Sequence, residues 1–221
     1  INHRKVIRGA ADRLQDIIQT NRTINLQLSV KNIDGKGGTL AYAGPTEIQS
    51  SNGFIYTTKG EMTVDSEDLN DPGLYNIATH EMLHALGFGT LWQQNKLIAR
   101  NTDGNFCYIG KKALKVYDEL TGNKNNFIPL ETGGGSGTAG AHWNEDAFYN
   151  ELMTGYYNSN IPNPLSKLTL AALEDLGYSV NYSKAQAYHL PLNNSSASRL
   201  ISYNASRIPS KTHYCSHSYT S

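Results

Sequence analysis

Apolar residues recur at helical spacing from the start of the chain. Val6, Ile7, Ala10, Ala11, Leu14, Ile17 and Ile18 fall on one face, with Arg8, Asp12, Arg13, Asp16 and Gln19 on the other. This predicts an amphipathic helix over residues 4–19. The period then switches to two: Ile24, Leu26, Leu28 and Val30 alternate with polar residues, which predicts a strand with one buried face. Further short strands are expected over 39–43, stopped by Gly44-Pro45, and over 54–58 and 61–65, with turns at Asp34-Gly35 and Asn52-Gly53. The 54–58 stretch, isolated between turns, is the expected free edge of this sheet of about four strands.

A different pattern follows. Leu74, Tyr75, Ile77, Ala78, Met82, Leu83, Ala85 and Leu86 leave almost no polar side except the face of His80 and His84, so this helix is expected to be central and buried. Asp71 is a suitable N-cap, Pro72 suits the first helical position, and Gly87 can take the left-handed conformation that ends the helix. Beyond Gly87 the regularity drops. We expect one short helix over 112–120 and a plain turn over 101–105. A glycine-rich stretch covers 132–140, and a last helix over 164–176 carries Leu165, Leu168, Ala172 and Leu176 on one side. From Asn193 the chain is rich in Ser, Asn and Tyr and is expected to lie extended on the surface. The pattern predicts an α+β fold in which helices pack on a small twisted sheet.

Composition narrows the function classes. In 221 residues, 38% of them hydrophobic, there is enough apolar material for one sizeable core. Lys plus Arg and Asp plus Glu number 19 each, so no electrostatic footprint favours nucleic acid or an anionic membrane, and no stretch approaches a membrane span. The chain opens on Ile1 and a folded helix, not a signal peptide; removal of an N-terminal portion is the expectation. Cys107 and Cys215 are the two cysteines. A bridge between them would close a loop of about a hundred residues, worth roughly 4–5 kcal/mol in the chain-entropy model.

The chemistry lies in His80-Glu81-Met82-Leu83-His84. Histidines four apart on a helix project from one face, so both imidazoles can reach one metal ion, and the glutamate beside the first can address a water on it. Two core histidines with a chance glutamate between them is the plainer reading; the fixed spacing of three residues on one helix favours zinc. Catalytic zinc takes three protein ligands and leaves a position for water. His142 follows a glycine-rich loop able to fold back on the helix, and His189 is its competitor. Glu119, Glu131 and Glu145 are candidates by type if the third ligand is a carboxylate, the gluzincin arrangement. A non-catalytic, zinc-stabilised binding module is the third alternative. His213 and His217 are expected to be surface residues of the polar tail.

His80-Glu81-x-x-His84-x-x-Gly87 resembles the metzincin clan, whose usual third histidine stands three residues after the glycine; here Thr90 stands there. The departure is that of the leishmanolysin family, in which an insertion follows the glycine and the third histidine arrives far downstream, as in Ala141-His142-Trp143. Further matches are Ala43-Gly44-Pro45-Thr46, the run from Leu86 through Phe88 to Trp92, Glu151-Leu152-Met153-Thr154-Gly155, and Asn163-Pro164-Leu165-Ser166 leading to Leu176-Gly177-Tyr178. The resemblance covers about residues 39–188. It implies a metzincin-like zincin fold in one catalytic domain, 1–221. An N-terminal lobe of about 1–87 would hold the sheet and zinc helix. A mostly irregular C-terminal lobe of about 88–192 would end on a helix, and a polar tail would cover about 193–221. It also implies a secreted or cell-surface zinc metalloendopeptidase made as a zymogen and acting on protein or peptide substrates. Zinc would sit on His80, His84 and His142, with Glu81 as general base and Met153 as the Met-turn packing residue beneath. Gly155 occupies the place where some metzincins carry an additional tyrosine ligand, so no tyrosine switch is expected.

Overall fold

A computed structural model of the chain describes residues 2–20, 22–135 and 137–191, together with the backbone of Thr212 and His213. Helix α1 (His3–Ile17) begins where the Asn2 side chain accepts from the Lys5 amide, and it buries Ile7, Ala10, Leu14 and Ile17. Its continuation β1 (Ile18–Gln19) pairs far along the chain, with Val180 and Ser179. The main sheet contains β2 (Asn25–Lys31), β3 (Ala41–Ser51) and β4 (Phe54–Asp65) in the order β2-β4-β3, β2 parallel and β3 antiparallel to the central β4.

Three expectations about this sheet are corrected. The expected stop at Gly44-Pro45 lies inside β3, because Pro45 is on an edge strand, where its missing N–H costs no ladder bond; register shifts on either side of Glu47 absorb the irregularity. Likewise 54–58 and 61–65 form one strand through Lys59-Gly60, so the sheet has three strands and not four. Phe54–Thr58 is therefore part of the central strand, paired with β3 on one side, while β2 on the other side pairs only from Lys59 onward. Where β2 does not reach it, the Asn95 side chain takes both backbone groups of Ile55, accepting from its N–H at 2.9 Å and donating to its carbonyl at 2.8 Å. The alternation in β2 is real, but its apolar face is open: Leu26, Leu28 and Val30 are 36%, 42% and 46% exposed, since β2 is an edge strand that no described element covers.

Helix α2 (Leu74–Ala85) lies between α1 and the sheet, with every residue from Ile77 to Ala85 buried. It starts two residues later than its sequence suggests. Asp71 caps a preceding turn, accepting from the Gly73 N–H at 2.7 Å, and Gly73 is the N-cap. The Tyr157 hydroxyl fills the space a side chain at residue 73 would need. That phenol also bonds Asp71, and burial, then the Asp71 charge, push its pKa up to about 12. At the other end Gly87 adopts φ +112°, with Gly87 N–H bonded to the His84 carbonyl and Phe88 N–H to the Leu83 carbonyl, a Schellman closure.

The second half is more regular than its weak periodicity suggests. β5 (Ile98–Arg100), β6 (Phe106–Tyr108) and β7 (Ile128–Pro129) form a small antiparallel sheet, and α3 (Lys111–Thr121) packs on the last long helix. Asn101 makes a plain turn, its side chain accepting from the Asp103 and Asn105 amides. After α4 (Glu145–Phe148) and β8 (Tyr156–Tyr157) comes α5 (Lys167–Asp175), which begins at the Ser166 cap and not at Pro164. β9 (Ser179–Val180) returns to β1, and β10 (Thr212–His213) pairs with β8. Within the second half the buried rings of Phe88, Trp92, Tyr108, Trp143 and Phe148 pack edge-on or tilted, with centroids 4.6–5.8 Å apart. With five α-helices and four small sheets among the described residues, the chain is a mixed α+β protein. No helix there is long and apolar enough to cross a membrane. Cys107 is a buried thiol beside the Ala99 carbonyl; its expected partner Cys215, His217 and most of the polar tail lie outside the described residues.

Candidate metal centre

His80, His84 and His142 bring their Nε2 atoms within 2.9, 2.9 and 3.2 Å of one another, in full burial. The other nitrogen of each ring faces a backbone carbonyl. His80 Nδ1 is 2.8 Å from Leu152 O, His84 Nδ1 2.8 Å from Phe88 O, and His142 Nδ1 3.0 Å from Thr138 O. A carbonyl only accepts, so each Nδ1 carries the proton and each Nε2 of a neutral ring presents its lone pair. Three lone pairs converging in a buried space repel unless a cation lies between them. Their separations are close to the ~3.3 Å that two imidazoles at tetrahedral angles on an ion at ~2.0–2.1 Å would show. The group therefore fits a metal ion, and it is the one cluster of three or more such side chains among the described residues.

The helical pair and the third histidine are delivered by different devices. One helical turn of α2 places His80 and His84 side by side. The Gly87 closure turns the chain, and Thr90, where a nearer third histidine would stand, donates to the His84 carbonyl at 2.6 Å. At Gly89, φ is +75° and the Ala141 carbonyl occupies the position a Cβ would take, so the backbone before His142 lies directly on this turn. The glycine-rich loop folds back as expected: Gly140 N–H bonds Glu131 O, Glu131 N–H bonds His142 O, and Trp143 N–H bonds Met153 O at 3.0 Å. His142 thus sits in a bend held by backbone bonds on both sides. Gly155 is packed on Thr138, leaving no room for a side chain.

Met153 is fully buried in the turn after α4. Its neighbour Glu151 is a site residue that sequence reading did not single out. Also fully buried, its carboxylate accepts from Met153 N–H at 2.6 Å, Ser166 N–H at 3.1 Å, Ser166 Oγ at 2.6 Å and Thr169 Oγ1 at 2.7 Å. Burial raises its pKa, and these four donors work against that. Thr169 Oγ1 in turn accepts from Trp143 Nε1 at 2.9 Å. On the far side of α2, Tyr178 donates to Leu86 O at 2.8 Å, and burial lifts its pKa.

The rivals for the third position are elsewhere. Glu131 is engaged by backbone, one oxygen accepting from Thr132 and Gly133 and the other from the Glu145 amide. Glu145 opens α4, Glu119 is exposed on α3, and His189 lines a separate cavity with Asn150 and Tyr188. No fourth protein ligand joins the three histidines among the described residues. Glu81 is fully buried beside His80 on α2.

A glutamate-flanked pair of helical histidines, completed by a third from a distant loop of a mixed α+β chain, is the arrangement of a metallopeptidase. Comparison with known proteins gives the family. The leishmanolysin family profile matches residues 22–207. The chain is 31% identical over 182 residues to a leishmanolysin homolog of Crithidia fasciculata, covering 72% of this chain and 25% of that protein. It is 26% identical over 174 residues to leishmanolysin of Leishmania donovani, 71% of this chain and 28% of that one. To a leishmanolysin-like peptidase of Caenorhabditis briggsae it is 48% identical over 62 residues, 27% and 9% of the two chains. The chain belongs to the leishmanolysin family of metallopeptidases, and it spans about a quarter of the length of the first two relatives.

Proposed function

We propose that this chain is the catalytic domain of a zinc metalloendopeptidase that hydrolyses peptide bonds within proteins or peptides. The observation that carries the reading is the convergence of three Nε2 atoms whose tautomers are all fixed by backbone carbonyls. His80, His84 and His142 would hold the ion. Zinc suits three imidazoles with no fourth side chain, and when bound it supplies a Lewis acid that acidifies water to a pKa of about 7 and polarises a carbonyl. Glu81 takes the proton from the attacking water and passes it to the departing amine. Burial around Glu81 and the histidines excludes bulk water and strengthens each electrostatic interaction there. Met153 acts by packing.

The substrate would lie extended and pair with β3, the free edge that packs against α2. We read 1–221 as one domain whose lobes, about 1–87 and 88–192, flank the cleft, with a polar tail from about 193. The family resemblance extends the proposal to a secreted or cell-surface enzyme made as a zymogen. The test is direct. Elemental analysis of the purified protein should find about one zinc per chain, on the three-imidazole logic above. A peptide-library digest should show internal cleavage that a chelator stops and zinc restores. A metal-free protein that still cleaves, or a zinc-loaded one that cleaves no peptide, would overturn the reading.

A further inference from the structure

The peptide bond between Leu152 and Met153 joins two groups described separately above. Its carbonyl accepts the Nδ1 proton of His80 at 2.8 Å, and its N–H donates to a Glu151 carboxylate oxygen at 2.6 Å. An anion on the N–H side of a peptide group polarises it, drawing the amide proton outward and adding negative charge to the carbonyl oxygen. A more negative carbonyl is a stronger acceptor, and an imidazole that gives more of its Nδ1 proton away is more basic at Nε2. We propose that Glu151 is a positioning residue that strengthens His80 as a metal donor through this single peptide unit, doing at one remove what a carboxylate in direct contact with a ligating histidine does. The proposal rests on the three-histidine metal site proposed above.

The surroundings favour this over a purely structural carboxylate. A buried anion with no cationic partner is costly, and the ion pairs of the described residues, Lys59–Glu47, Lys112–Glu174 and Lys124–Asp118, lie elsewhere. Both oxygens instead take a backbone N–H, an arrangement that holds Glu151 as an acceptor. The remaining donors, Ser166 Oγ and Thr169 Oγ1, fix the carboxylate from the start of α5. The Thr138 peptide that serves His142 ends on a neutral group, its Ala139 N–H bonding the Gly135 carbonyl.

The test compares wild type, Glu151→Gln and Ser166→Ala. Glu151→Gln keeps shape and removes the charge; Ser166→Ala cuts one tie to the carboxylate and spares the Met153 bond. With 15N-histidine labelling, the His80 Nδ1–H proton of the metal-free wild type should be the furthest downfield of the three, and it should move upfield in Glu151→Gln. Zinc affinity, by competition with a chelating dye, should fall about 10–100-fold in Glu151→Gln, the usual scale for groups behind a ligand, and stay within about twofold in Ser166→Ala, even where thermal stability drops. Equal affinity losses in the two variants, or an unmoved His80 resonance, would overturn the proposal. If Glu151→Gln fails to fold, the wild-type ordering of the three resonances decides. If wild type binds no zinc and the His80 resonance still moves, the metal reading falls and the coupling stands.

Discussion

The two halves of the candidate metal centre are built by opposite means. His80 and His84 come from α2, where 3.6 residues per turn puts them side by side whatever the rest of the chain does, and where local bonds at Gly73 and Gly87 define both ends. His142 comes from a segment without a helix or a named strand. It is held by backbone bonds to Glu131 and Met153 and by glycines that allow contact with the turn after α2. Irregular chain is no looser as a support when backbone bonds tie it to its neighbours on both sides. One half is specified by spacing, the other by close approach.

The largest effect should come from the non-local half. His142→Ala should abolish peptidase activity and weaken zinc binding by orders of magnitude, since a two-histidine site lacks a catalytic ligand set. His189→Ala should leave both nearly intact, because that ring lines a different cavity. Titration of zinc into both variants, followed by turnover, checks the pair. Tight zinc binding in His142→Ala would show that the helical half is sufficient alone.

Next comes the helical half with its ligands kept. Glu81→Gln should retain zinc and fold and lose at least ~100-fold in turnover, the usual contribution of a general base. Near-normal turnover in a zinc-loaded Glu81→Gln protein would leave α2 with a binding role only.

The close approach itself can be probed at Gly89. Gly89→Ala places a methyl against the Ala141 carbonyl at φ +75°, whereas Gly35→Ala meets open space at φ +89°. Both variants bear the backbone strain, about 1–3 kcal/mol each. Only Gly89→Ala should also cost metal affinity, roughly tenfold on the scale seen for groups that orient a ligand. Equal zinc affinities would mean that His142 is positioned by its own segment and not by the turn.

The same contrast explains what could be read from the chain and what could not. α1, α2 and α3 were legible within two or three residues because helical periodicity is local, and the histidine pair came with α2. The start of α2 was misplaced because Gly73 is dictated by Tyr157, more than eighty residues on. β3 was cut short because Gly44-Pro45 stops most strands and only its edge position excuses it. The strands β5 to β7, two or three residues each, are too short for any period to show. In β2 alternation revealed two faces without revealing that one of them is uncovered. His142 was reachable through its glycine-rich approach. Glu151 was not, since an acidic residue reads as surface until Ser166 and Thr169 are known to face it.

The smallest predicted effect marks how self-sufficient the helical half is. Tyr178 reaches from beyond α5 to donate to the Leu86 carbonyl, a long-range side-chain bond onto the closing turn of α2. That carbonyl sits next to Gly87, whose own N–H and that of Phe88 already close the helix on His84 and Leu83. If local bonds define the turn, Tyr178→Phe removes a single hydrogen bond, worth about 0.5–1.5 kcal/mol net, and leaves a buried carbonyl short of one donor. For a chain of this size a loss of that order lowers Tm by roughly 1–6 °C, at 2–4 °C per kcal/mol. Zinc affinity should stay within about twofold and turnover within about threefold, because the His84 ring is oriented by Phe88 O and the phenol touches neither. Calorimetry and zinc titration on the same preparation separate the two outcomes. A Tyr178→Phe protein that lost zinc along with stability would show that the helix end depends on the second half of the chain, and the division between a spacing-specified and a contact-specified half would fail at its most local point.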